Sequence, residues 1–194
     1  MSEKGWLRKA LDFIFGFLAD KSAEPSGKFK VGFHKELGSG YNVKEDRMKR
    51  VERLKDICFE VLADPSLEQD GDFTFCNRGN ARIANAMGCK EISRFMLAAE
   101  QIEFAKGSDK FRIGTGQEAT DHAKKGGYAF AGKVYPKSAH VAAVYPTDTK
   151  FSGSWGVDVP MLANIGKSPN AVMKTSRCFP VAAGIPYFFL YGDP

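Results

Sequence analysis

Cysteine is scarce in this chain. Cys58, Cys76, Cys89 and Cys178 are the only four among 194 residues, and no two form a CxxC pair. That is too few, and too widely spaced, for a disulfide framework. The three histidines, His34, His122 and His140, make no HExxH and no other zinc spacing. A metal-dependent hydrolase is therefore poorly supported, no metal or cofactor is expected, and any hydrolysis would have to use a side-chain nucleophile. No block of basic residues stands out either. Lysine and arginine total 28 against 23 acids, and the net charge of +5 is spread along the chain. No DNA- or RNA-binding motif accompanies it, so nucleic acid is not an expected partner. The mild excess suits an anionic surface such as a cell envelope.

What the chain does have is apolar and aromatic mass. Hydrophobic residues make up 43%, with 16 Phe and 6 Tyr, enough for one domain with a sizeable aromatic core. Residues 1–42 read as an arm followed by a linker. Within the arm, residues 6–18 carry Leu11, Phe13, Ile14, Phe15, Phe17 and Leu18 behind a basic start. Two readings stand: a secretory signal, or an amphipathic helix docked on the domain or on a membrane surface. The run is too short to span a bilayer. Pro25 and several glycines mark the linker.

Residues 43–194 read as the folded domain. Met48, Val51, Leu54, Ile57, Cys58, Val61 and Leu62 make one stripe of an amphipathic helix over 43–63, with Cys58 as core packing. A second helix is expected to start at Cys76, a third over 91–106, and a short one over 116–125 that carries His122 as a surface histidine. From residue 128 the texture changes to strands, expected at 128–134, 138–145, 160–165, 171–174 and 186–191. Helices first and strands after is the α+β pattern, with N-terminal helices packed on a C-terminal antiparallel sheet.

The stretch from Asp72 to Gly88 stands out. Phe73 and Phe75 alternate with polar residues, then Ile83, Ala84 and Met87 recur at helical spacing. Cys76 thus falls at a helix N-terminus, where backbone N–H groups and the helix dipole favour thiolate over thiol. A thiol nucleophile also needs a base and a group to orient that base. His140 lies near the start of one strand, and Asn164 lies in an otherwise apolar strand further on. Its carboxamide could accept from one imidazole nitrogen and leave the other facing Cys76. The Cys76 backbone N–H, or a side chain from the loop at 38–42, could serve a developing oxyanion. Tyr41, Asn42, Asn77 and Trp155 are candidates to line a substrate groove.

These local texts resemble the papain-like cell-wall peptidases of the NlpC and CHAP types. The resemblance rests on Thr74-Phe75-Cys76-Asn77 with the helix ending Ile83-Ala84-Asn85-Ala86-Met87-Gly88. It continues through Gly126-Gly127-Tyr128-Ala129-Phe130-Ala131, His140-Val141-Ala142-Ala143-Val144, and Val159-Pro160-Met161-Leu162-Ala163-Asn164-Ile165-Gly166. It covers roughly residues 70–190. Ala139 stands where a glycine often precedes the family's histidine, and the interval from His140 to Asn164 is longer than in compact members. The resemblance implies a papain-like fold and acyl transfer with Cys76, His140 and Asn164 as the catalytic set. It also implies peptidoglycan as the partner, action at a bacterial cell wall (secreted, periplasmic or released in phage lysis), and a monomer. Two rivals remain: a cysteine hydrolase of protein amides, and a non-catalytic phage or envelope domain with a buried cysteine.

Overall fold

The computed structural model describes residues 43–166 and 169–194. The expectations placed on residues 1–42, the signal-like or membrane-facing helix and the groove residues Tyr41 and Asn42, lie outside the described residues. Helix α1, Val43–Leu62, buries Leu54, Cys58 and Val61, one stripe at i, i+4 and i+7. Pro65 then opens a 3₁₀ turn, Pro65–Leu67, capped by the Asp64 carboxylate, which accepts the Ser66 N–H at 2.8 Å.

Helix α2, Cys76–Ala86, packs Ile83 and Ala84 fully inside. Gly79 is what lets it come so close to the sheet. A Cβ there would lie 2.0 Å from Ile165 Cδ1, a distance no side chain tolerates. Helix α3, Ala98–Gly107, is shorter than the helix expected over 91–106. Residues 91–97 are turns instead, because their carbonyls are taken by side chains of α2. Asn85 Nδ2 donates to Ile92 O at 2.6 Å, and Asn77 Nδ2 donates to Met96 O at 2.8 Å. The helix begins where the Glu100 carboxylate accepts the Leu97 N–H at 2.7 Å.

Strand β1, Phe111–Gly114, comes next and adds a strand beyond those expected from the sequence. Helix α4, Gly116–Ala123, follows a capping box between Thr115 and Glu118. The remaining strands are β2 Ala129–Tyr135, β3 Ser138–Val144, β4 Lys150–Ser152, β5 Val157–Val159, β6 Met161–Asn164, β7 Ala171–Lys174 and β8 Tyr187–Tyr191, with a one-turn helix α5, Thr175–Cys178, after β7. The architecture is α+β. Six antiparallel strands run in the order β1-β8-β2-β3-β6-β7, and β4 pairs with β5 in a separate hairpin that the sequence did not reveal.

Aromatic rings hold the sheet to the helices. Phe130 stacks on Phe189 with centroids 4.9 Å apart, and Phe111 meets Phe130 edge-on at 5.9 Å. Phe130 and Phe189 are fully buried, each worth about 1.5–3 kcal/mol of apolar transfer. His122 belongs to this interior, which corrects its expected surface position. It falls on the inward stripe of α4 with Ala119 and Ala123, and its ring lies so near Gly127 that a Cβ there would meet Nε2 at 2.2 Å.

One feature of the register sets up everything near His140. The β3–β6 ladder holds only two pairs, Ala143 with Ala163 and Val144 with Leu162. Upstream of Ala143, β3 continues while β6 ends at Asn164, so the β3–β6 pairing has a gap beside residues 139–141, where Gly166 stays close to the His140 ring.

Candidate active site

Three segments converge on that gap. Cys76 is the first residue of α2, so its own N–H and that of Asn77 belong to the unpaired amides of the first helical turn. Both reach the sulfur, as do the Thr74 side chain and the backbone of Val141. Val141 follows His140 directly on β3, so the sulfur is seated against the strand at the gap. The residue is 5% exposed. Burial pushes the Cys76 thiol up, and the Val141, Asn77 and Cys76 backbone groups with Thr74 oppose it. Cys58 and Cys178 meet no such opposition and are pushed up to about 12 by burial alone.

His140 and Asn164 bridge the gap. Ala143 and Ala163 face each other across the ladder, so His140 and Asn164, each an odd number of residues away, project from one common face. The imidazole Nε2 lies 2.8 Å from Asn164 Oδ1. A carboxamide oxygen can only accept, so Nε2 carries the proton and Nδ1 is left with the lone pair. Asn164 is 4% exposed, and the Phe179 ring packs against the imidazole with centroids 5.2 Å apart. The ring is half-buried, and burial pulls its pKa below the ordinary 6.5 against the raising effect of Asn164. Thiol and imidazole are therefore both biased to their neutral forms. Among the described residues the imidazole's hydrogen bond is the one to Asn164, and none joins it to the Cys76 sulfur. Such contacts commonly tighten only when substrate is bound.

A buried polar chain fixes the first turns of α2. Gln101 Nε2 donates to the Asn77 carbonyl at 2.8 Å, Asn80 Nδ2 donates to Gln101 Oε1 at 2.9 Å, and the Tyr128 hydroxyl donates to Asn80 Oδ1 at 2.9 Å. Asn80 is 2% exposed and Gln101 fully buried. Each polar group in the chain is paired, so it holds α2 against α3 and against Tyr128, just before β2, in one position. The sequence carried a signal for it: Asn77 and Asn80 sit at i, i+3, and Asn80 shares the inward stripe with Cys76, Ile83 and Ala84. Asn77, a candidate for substrate contact, turns its amide N–H to Met96 instead. Trp155 sits half-buried at the tip of the β4–β5 hairpin, and Tyr41 and Asn42 are not among the described residues.

A concavity of about 750 Å³ runs along α1 beside Met48, Glu52 and Ala86 and contains none of Cys76, His140 or Asn164. It is lined by solvated charges with nothing to do acyl chemistry, so the gap at β3 remains the candidate site. Among the described residues no three His, Cys, Asp or Glu side chains converge as metal ligands. Comparison with protein-family models and with curated proteins finds no match for this chain.

Proposed function

We propose that this protein is a cysteine hydrolase of peptidoglycan, cleaving an amide of the stem peptide or the amide that joins peptide to sugar. The observation that carries the reading is the 2.8 Å bond from His140 Nε2 to Asn164 Oδ1, at the gap that also receives Cys76. It orients an imidazole whose second nitrogen keeps its lone pair, one residue along β3 from Val141, whose backbone meets the Cys76 sulfur at the start of α2.

In this reading Cys76 Sγ attacks the amide carbonyl as its proton passes to His140 Nδ1. The C–N bond then breaks, and the same nitrogen returns the proton to the leaving amine. Water, deprotonated by His140, hydrolyses the thioester and frees the thiol. Asn164 keeps the imidazole in the tautomer that both steps need. The Cys76 N–H in the first turn of α2 is the available donor for the oxyanion.

The test is digestion of purified peptidoglycan by the wild type and by Cys76→Ala, with mass spectrometry of the soluble fragments. New amine termini from the wild type alone are expected, and their position separates endopeptidase from amidase. Equal release by both proteins, or none, contradicts the reading. A non-catalytic binding or envelope domain is the second reading, and it is favoured by the 5% exposure of Cys76 and the upward push on its thiol.

A further inference from the structure

The hairpin tip and the turn before β8 enclose a second concavity of about 210 Å³, lined by Ser154, Trp155, Val157, Val181, Gly184 and Ile185. Its walls are apolar, yet Val157, Val181 and Ile185 are each half or more exposed. Converging exposed aliphatics around a small hollow offer an apolar seat for a small group. Two separate chains of contact tie it to His140. Phe179, packed on the imidazole, is followed by Pro180, whose carbonyl accepts the Ala183 N–H and so closes the turn that presents Val181. On the other side, Lys133 is the cross-strand partner of His140, and its ammonium donates to the Ile185 carbonyl at 3.3 Å. Among the described residues no carboxylate pairs with Lys133 within ion-pair distance. The indole Nε1 of Trp155 is buried and makes no hydrogen bond. An unpaired donor at the wall gives the indole a reason to turn toward an incoming acceptor.

We infer that this cavity takes the leaving half of the substrate: a short peptide with small aliphatic side chains, ending in a carboxylate that meets Lys133. The assignment to the leaving half rests on the hydrolytic reading. The imidazole hands its proton to the leaving nitrogen, so the chain beyond that nitrogen lies on the imidazole's side. The volume is about that of a dipeptide of small residues, backbone included. The remaining N–H bonds of the Lys133 ammonium supply the charge-assisted contact to the carboxylate.

The probe is the dipeptide alanyl-alanine, compared with its C-terminal amide. The protein is the full chain carrying Cys76→Ala, so that nothing turns over, and Trp6→Phe, so that Trp155 gives the only indole N–H resonance. We expect the free acid to shift that resonance saturably and the amide to bind about tenfold more weakly. Lys133→Met should erase the difference between acid and amide. Ile185→Glu places a like charge at an exposed rim position and should abolish binding of the acid while the rest of the amide spectrum stays unchanged. An unmoved resonance, or equal titration by acid and amide, overturns the inference. Selective binding of the acid, together with a wild type that cleaves no peptidoglycan, upholds the cavity as a carboxylate-peptide site and removes only the hydrolytic reading.

Discussion

His122 is buried and His140 half-buried, and in both the imidazole is pulled below its ordinary pKa chiefly by burial. Their surroundings otherwise differ. His122 is pressed on Gly127 inside α4's contact with the sheet, and its Nε2 makes no hydrogen bond. His140 stands where two strands part, with one nitrogen bound to Asn164 and the other left basic. Burial alone therefore does not make a histidine useful. What separates the two is the side-chain carboxamide held at 2.8 Å from one ring nitrogen of His140, where the β3–β6 pairing ends; the His122 ring is met instead by the backbones of Tyr128 and Tyr191.

The sharpest way to break the comparison is to remove each ring in turn. His140→Ala should lower the rate of peptidoglycan cleavage by about 10²–10⁴-fold, the usual worth of a general base. His122→Phe should leave that rate nearly unchanged, measured by appearance of free amines. A similar loss from both would mean that the rings are equivalent and the site is misplaced. Asn164→Ala should lower kcat by less than His140→Ala does, with KM little changed, and should speed solvent exchange of the His140 Nε2 proton that Asn164 accepts in the wild type. That faster exchange distinguishes orientation of the ring from a general loss of fold.

On the other side of the comparison, Gly127→Ala forces a methyl into the His122 ring. Overpacking of this kind should destabilise the domain by about 1–3 kcal/mol, read from urea unfolding. Adding His122→Ala should recover much of it, because the colliding atoms are then gone. The smallest expected effect is on pH dependence. Both rings have folded pKa values below the ordinary 6.5, so just below that pH the unfolded chain binds more protons than the native one. The stability gained by keeping the rings neutral is complete above 6.5 and is lost as pH falls through the folded values. Unfolding midpoints should therefore fall as the solution is acidified from neutrality, and His122→Phe should show a shallower fall than the wild type.

Much of this arrangement could be read from the chain. The break from alternating Phe73 and Phe75 to the Ile83, Ala84, Met87 spacing gave the start of α2 at Cys76. Runs of small apolar residues gave β3 and β6, and an asparagine inside such a run pointed to a partner for His140. Other parts were hidden for physical reasons. The three-residue strands β4 and β5 are too short to show alternation, and Gly153 and Gly156 between them look like ordinary loop. Residues 91–97 carry helix-forming side chains, but their backbone is recruited by Asn77 and Asn85 from elsewhere in the chain. His122 did have a legible signal, its i, i+3 relation to Ala119, but the charged neighbours on the other face concealed it. The gap in the β3–β6 ladder is a property of pairing and has no local signature at all.

The most direct measurement is the rate at which iodoacetamide modifies each cysteine at mild pH, followed by peptide mapping in the wild type and in His140→Ala. Cys58 and Cys89 are fully buried, and the thiols of Cys58, Cys89 and Cys178 are all pushed up to about 12. Cys76 should react ahead of all three, and His140→Ala should remove that lead. Modification of Cys76 no faster than that of Cys58, or a rate indifferent to His140, would contradict a thiol and imidazole working together.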